Sequence, residues 1–545
     1  MNVIVGGGVV GLSIAWRLAR EGLPVTVVDP APGRGASYAA AGMLAPVSEV
    51  AYTEEPLLRL GAASLSRWPS FAAELAADAG LGPDLGAGFG AGLGTGLSGG
   101  SGGGAGARAE ARAGEAFGGA FGVIGPEGAA GRALDLRADG TLDVAFGADD
   151  LAALDDLAAF MDKLGLRVER LTGRECRRLE PMLAPSVRGG LLAPGDAWVD
   201  PRRVTAALLA ALDRLGVPVV RARVTGLLRD GDAAPGAATG AGTGSGTGAL
   251  TGAGIGSGTG GGISSGTGAG IGAGAGGAAG PVAGAVTGAA TGAVRGVRLE
   301  AVPGQPEPAV LEIAAERVVL AAGAWSGELA DVPVRPVKGQ IMRLRSPQPL
   351  LGRCVRGMVH GAPVYLVPRG DGELVLGATQ EELGFDTRVT AGGLYELLRD
   401  ARELVPGVTE LEVADVVAGL RPGTPDNLPI IGAGEVPGLV LATGHHRGGV
   451  LLAPLTAALV ASAVLTPSTT TASPAAAPAT AQTGTQAGAP AAVQTGTQPA
   501  AQAAAQAAAQ AAARVAGVST GAGILTGEEG ELAALCSPAR FRDIS

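Results

Sequence analysis

The chain opens on a short apolar run, Val3-Ile4-Val5, with no polar position in it, which predicts a strand buried on both faces. Glycines follow at 6, 8 and 11. Apolar residues then recur at Leu12, Ala15, Trp16 and Ala19, the spacing of a helix that Gly22 would end. A second apolar stretch, residues 24–29, predicts another strand and ends in Asp29, 18 positions past Gly11. Strand, glycine turn, helix, strand and acid in this order make a dinucleotide-binding unit. Gly6 allows the tight turn, Gly8 lets backbone approach a pyrophosphate, and Gly11 lets helix and strand pack closely. The helix start at Val9 and Val10 favours phosphate charge, and Asp29 can accept hydrogen bonds from a ribose. The acid points to a free 2′-hydroxyl, hence FAD or NAD over NADP, and leaves the first two open.

Further along, residues 317–326 read as a buried strand running into small residues. Residues 364–379 read as a hairpin around Gly370-Asp371-Gly372, part of a second, mostly antiparallel unit roofing the cofactor. Residues 439–445 predict a late strand returning to the first sheet. The chain from His446 onward is expected to start a helix whose N-terminus points at the cofactor ring. The apolar run 450–465 is shorter than the ~20 residues of a membrane span and contains Pro454, so it predicts a buried core helix.

Composition changes this picture in three stretches. Of 545 residues 95 are Gly, concentrated in 84–131 and 231–296, while 466–545 is rich in Ala, Gln, Thr and Pro. Few large apolar side chains occur there, so burial cannot offset the entropy of ordering the chain. Two disordered surface insertions and a low-complexity tail are expected, leaving roughly 350 residues for a two-part globular enzyme. The formal charge of −10 without a basic cluster argues against nucleic acid. Cys176, Cys354 and Cys536 are far apart, so neither a disulfide framework nor a metal site follows, and a cytoplasmic setting is expected.

Residues 35–46, GASYAAAGMLAP, stand where a plain NAD domain would lead into another helix. Such a run of small residues lets backbone pass close beside a flat ring, with Ala36, Ser37, Ala41, Gly42 and Met43 as the expected contacts. Together with residues 418–454 (AGLRPGTPDNLPIIG and GHHRGGVLLAP), 318–327, 333–345 and 364–379, this segment resembles the D-amino-acid-oxidase-like flavoproteins, specifically the glycine oxidases of thiamine biosynthesis. The resemblance covers nearly all of the globular part.

The resemblance implies an α/β protein with FAD bound without a covalent link. It implies a discontinuous Rossmann-like FAD-binding domain (1–83, 196–230, 297–330 and 415–465) and a mostly antiparallel substrate-binding domain (132–195 and 331–414). It places substrate-carboxylate contacts at Arg421 and Tyr365: a guanidinium fork matches that group, and a tyrosine hydroxyl, if buried, needs a partner. For Arg447 a substrate-side role and a loop-holding role are both open. It places the backbone of Val224 at the adenine, and His445, His446, Arg447, Gly448, Gly449, Val450 and Leu451 along the cofactor loop. Three positions depart from the family: Gly448 replaces Asn, His446 an aromatic residue, and Gln380 an apolar residue near the substrate.

The activity expected is oxidation of a small amino acid, glycine first, with dioxygen as acceptor and no side-chain base. Homo-oligomer formation and hand-over of the imine to a thiazole synthase are further implications of the resemblance. A sarcosine or D-amino-acid oxidase or dehydrogenase on the same scaffold is the nearest alternative. An NAD-dependent dehydrogenase and a non-catalytic flavin-binding scaffold are the others.

Overall fold

The computed structural model describes residues 1–81, 129–232, 292–304, 311–465 and 527–541. The expected insertions at 84–131 and 231–296 lie almost wholly outside the described residues, as does 466–526 of the expected tail.

Two large sheets organise the described chain. The first has six strands, in the spatial order Ile430–Ala433, Leu439–Thr443, Arg317–Leu320, Asn2–Val5, Val25–Val28, Val219–Val220. All its neighbours run parallel except the edge strand Ile430–Ala433. Every residue of Asn2–Val5 and Val25–Val28 is buried, as a continuous apolar run requires. The helix Val9–Arg20 starts directly after Gly8 and buries Leu12, Ala15 and Trp16, and Gly22 follows its end at φ +76°. A Cβ on Gly11 would overlap the Gly6 carbonyl, so glycine there sets how closely helix and turn approach. The helix Ala453–Leu465 packs on this side with Leu455, Leu459, Val460 and Val464 buried. Each such side chain is worth roughly 1.5–3 kcal/mol on leaving water.

The second sheet has eight strands, ordered Glu412–Gly423, Arg335–Arg345, Glu373–Gly377, Ala362–Pro368, Cys354–Val359, Thr141–Ala145, Gly189–Ala193, Glu169–Thr172. Only the pairing of Cys354–Val359 with Thr141–Ala145 is parallel. The expected hairpin is present, with Tyr365 opposite Gly377. One face packs on the helix Ala391–Leu404 through Leu397, Ala401 and Leu404. A separate three-stranded sheet holds Arg223–Arg229, Val294–Glu300 and Glu312–Ala314. The chain therefore leaves for 233–291 and returns within one antiparallel pair.

Two expectations need correction. Residues 412–423, grouped from 415 with the cofactor side, form an edge strand of the eight-stranded sheet through eleven cross-strand pairs with Arg335–Arg345. Residues 527–541, expected within a low-complexity tail, contain a helix, Gly527–Leu535, docked on the core. Leu532 and Cys536 are buried there, the Ile431 amide donates to the Cys536 carbonyl at 2.9 Å, and Arg540 pairs with Asp426. The physical reason is local: Leu532, Leu535 and Cys536 supply an apolar face that the surrounding composition masked.

The three cysteines are buried and unpaired. No helix among the described residues is long and apolar enough to cross a membrane.

Candidate active site

One cavity of about 920 Å³ runs between the two large sheets. Its first end is the glycine turn. Gly6 has φ +111°, and a Cβ there would lie 2.6 Å from the Ala321 carbonyl carbon. Gly8, Val9 and Val10 line the cavity, and the first-turn amides of the following helix have no intrahelical acceptor. One of them, Val9 N–H, donates to Ser37 Oγ at 2.9 Å. Asp29 closes this end, accepting from the Gly7 and Ala31 amides at 2.7 Å each. Burial raises its pKa above the usual carboxylate value, against the pull of those two amides. Val224 lines the same end.

The middle is walled by Ala36, Ser37, Ala41, Gly42 and Met43 on one side and by His445, His446, Arg447, Gly449 and Val450 on the other. Gly42, at φ +79°, lets the chain pass where a Cβ would lie 2.7 Å from Pro201 Cδ. Arginines hold the outer side of the small-residue segment, a feature its sequence did not announce. Arg202 donates to the Tyr38 carbonyl at 3.0 Å, and buried Arg369 donates to the carbonyls of Ala41 and, at 2.9 Å, Val199. Arg369 follows Pro368 at the hairpin tip, so its signal was only an arginine in an apolar hairpin.

Gly448 and Leu451 do not line the main cavity. They border a small separate one behind Arg447, and the Leu451 carbonyl accepts from Ser64 Oγ and Trp68 Nε1. Gly11 is likewise absent from the lining, since it faces the Gly6 carbonyl. The expected helix start at 446 is also displaced: His446–Gly448 is one short 3₁₀ turn, and the helix begins at Ala453. Burial pushes His445 down to about 3 and His446 down to about 4, and His445 Nε2 lies 2.9 Å from Thr456 Oγ1. Both rings are neutral at neutral pH.

The far end is built on the eight-stranded sheet. Tyr365 and Arg421 come together there, Tyr365 from the hairpin and Arg421 from the edge strand. Burial raises the Tyr365 pKa, while the charge and hydrogen bond of Arg421 oppose the rise. Arg421 Nη1 donates to the carbonyls of Thr379 (3.2 Å) and Lys338 (3.4 Å), and no carboxylate among the described residues pairs with it. Arg447 differs. Its guanidinium is ion-paired with Glu54 and donates to the Glu49 carbonyl at 3.3 Å, the geometry of a residue that holds a loop. Gln380, Glu49 and Arg356 also line this end. Arg356 stands opposite Tyr365 in register and is held by the Ser48 carbonyl (2.7 Å) and Asp143 (3.6 Å). Sequence reasoning passed over Glu49, Glu54 and Arg356, which carry no motif of their own. Among the described residues no group of three or more His, Cys, Asp or Glu side chains is placed to hold a metal ion.

The sequence pattern of the DAO family, FAD dependent oxidoreductase, matches residues 2–86, 93–262 and 280–463. The chain belongs to this family. FAD is therefore its cofactor, and the long cavity with its glycine turn, Asp29 and small-residue wall could hold that group. This DAO-family chain is similar to the glycine oxidase of Geobacillus kaustophilus, 29% identical over 461 residues, spanning 83% of this chain and 89% of that one. The crystal structure of glycine oxidase from that organism matches with a TM-score of 0.59 at 27% identity, covering 85% of this chain and 94% of that one. The bifunctional protein ThiO/ThiG of Trichormus variabilis is 29% identical over 458 residues, which are 84% of this chain and 51% of that one. The chain thus spans about half the length of this relative. It is an FAD-dependent oxidoreductase related to glycine oxidases.

Proposed function

We propose that the chain oxidises a small amino acid, glycine first, in the manner of a glycine oxidase, with FAD held non-covalently along the cavity. The observation that carries this reading is the juxtaposition of Arg421 and Tyr365 at one end of a cavity whose other end is the dinucleotide turn. An arginine fork without an acidic partner, beside a partly buried phenol, suits a single carboxylate. In this reading Gly6, Gly8, Val9 and Val10 face the pyrophosphate, Asp29 the ribose and Val224 the adenine. Ala41–Met43 and His445–Val450 flank the ring. The cofactor side comprises the six-stranded sheet, and the substrate side the eight-stranded sheet with 412–423 included.

FAD, when bound, would supply the acceptor for a hydride from the substrate Cα and a route for those electrons to dioxygen, giving hydrogen peroxide. Arg421 and Tyr365 fix the carboxylate, so that Cα is presented at one distance and angle. The neutral His445 and His446 add no further positive charge beside the ring. The imine product hydrolyses to glyoxylate and ammonia. The likeness to a ThiO/ThiG protein supports its alternative use, transfer to a thiazole synthase in thiamine synthesis. Sarcosine remains a second substrate to compare.

Anaerobic addition of glycine to the purified protein tests the reading. The flavin absorbance is expected to bleach, and sarcosine and D-alanine in parallel rank the substrates. A flavin-loaded protein that none of the three reduces would overturn it. Acid precipitation should release all the flavin, since Cys354, the thiol beside Met43, is fully buried and its pKa is driven up by burial. Colour retained on the pellet would contradict non-covalent binding.

A further inference from the structure

The far end of the cavity carries a second charge of the opposite sign. Glu49 lines it, yet no described residue donates a hydrogen bond to its carboxylate. Its nearest ion-pair contact is Arg447 Nε at 4.0 Å, and that guanidinium is committed to Glu54, which Asn427 Nδ2 also binds at 2.8 Å. The backbone that carries Glu49 is nevertheless tightly held. The Val47 and Ser48 amides each donate to Asp196 at 3.1 Å, the Ser48 carbonyl accepts from Arg356 at 2.7 Å, and the Glu49 amide donates to Ala45 at 3.1 Å. A pinned segment thus presents to the cavity an acid that takes no hydrogen bond from a described residue, although the Arg356 guanidinium lies within electrostatic reach of it. Tyr365 lies within electrostatic reach of both charges, Arg421 favouring its ionised form and Glu49 opposing it.

We propose that Glu49 receives the amine end of the substrate while Arg421 and Tyr365 receive its carboxylate, so that this end of the cavity selects zwitterions over simple carboxylates. The assignment rests on the reading of the cavity as an amino-acid site. A lone arginine and phenol would bind acetate as readily as glycine. A carboxylate facing them adds a charge-assisted bond that only an ammonium or amine can make. It also leaves a substrate one fewer way to sit in the site, because both of its ends are fixed.

The full-length holoenzyme, with Glu49→Gln and Glu49→Asp, is titrated anaerobically with glycine and with acetate, following the flavin spectrum. Glu49→Gln is expected to raise half-saturating glycine by roughly ten- to hundred-fold. Its acetate affinity should stay within about two-fold of wild type, because the carboxylate contacts lie elsewhere. Glu49→Asp should recover part of the glycine affinity. Equal weakening of both ligands would mean that Glu49 only supports the loop, and unchanged glycine affinity would mean that it meets no amine. Either result overturns the proposal. Should Glu49→Gln fail to fold, Glu49→Asp must still weaken glycine more than acetate. Wild-type enzyme that glycine does not reduce counts against the proposed reaction. The ratio of glycine to acetate affinity, read from spectral shifts without reduction, still decides on Glu49.

Discussion

Arg421 lies across the Cα of Gly339. The two strands pair so that Gly339 is the diagonal neighbour of Arg421, and a Cβ on Gly339 would lie 2.6 Å from the guanidinium carbon. Tyr365 stands directly opposite Gly377, where a Cβ would lie 2.6 Å from the hydroxyl. Arg421 and Tyr365 therefore each rest in a berth left by a missing side chain on the next strand.

Gly339→Ala is expected to displace the Arg421 guanidinium while leaving the strand paired, because the clash falls on the end of a flexible side chain. The kcat/KM should fall about ten-fold or more with flavin content retained, since small misplacements of a substrate clamp act on rate. Steady-state kinetics with a flavin absorbance ratio checks this. Wild-type kinetics would show that Arg421 does not need the berth.

Arg421→Lys keeps the charge and loses the fork, removing a charge-assisted bond of about 1.5–3 kcal/mol, or roughly ten- to hundred-fold in kcat/KM. Arg421→Ala should be worse, because the carboxylate would enter unpaired. The rate of anaerobic flavin reduction across a glycine series is the measurement. Near-normal saturation in Arg421→Ala would remove Arg421 from substrate binding.

Much of this was legible because it is local. Strand, glycine turn, helix and Asp29 fall within thirty residues, and the hairpin bearing Tyr365 is a contiguous alternation around Gly370-Asp371-Gly372. The berths were not legible, since Gly339 meets Arg421 only through pairing of strands far apart in sequence. The same holds for Arg447. Its pairing with Glu54 depends on a loop hundreds of positions upstream, which nothing near Arg447 in the sequence announces. The family resemblance alone places Leu451 along the cofactor loop. The turn at 446–448 instead carries its carbonyl to Ser64 and Trp68. Residues 527–541 were hidden by averaging: a short apolar face disappears in a long Ala- and Gln-rich background.

Ending the chain at 526 tests that segment. The truncation uncovers the surface that Leu532 and Cys536 bury and removes the ion pairs of Glu529 with Arg67, Glu531 with Arg59 and Arg540 with Asp426. Burial of one leucine alone is worth roughly 1.5–3 kcal/mol, so thermal unfolding should begin several degrees lower (about 5 °C). Turnover per flavin at low temperature should persist, because no residue of 527–541 lines the cavity. An unchanged melting curve would make the docked helix dispensable.

His445 governs part of the acid response. Burial holds its pKa down at about 3 against an ordinary 6.5. As pH falls below that ordinary value, the unfolded chain takes up a proton that the folded chain refuses. The stability from the buried neutral ring is therefore complete above about pH 6.5 and declines toward pH 3. Between pH 7.5 and 5.0 this group should account for a loss of about 2 kcal/mol. His445→Gln should lack that component. Urea melts at both pH values, wild type against variant, read the difference directly, and parallel losses would refute it.

One row of residues crosses the eight-stranded sheet in register: Val417, Ile341, Gly377, Tyr365, Arg356 and Asp143. Side chains alternate between faces along a strand, so a slip of a single residue would turn Tyr365 to the far side and bring Val364 or Leu366 inward. The tip at residues 369–372 sets that count. Adding or removing one residue there could leave sheet, helices and the dinucleotide turn in place. The result would be a yellow, folded protein deaf to its substrate, because what was lost is an alignment rather than any one amino acid.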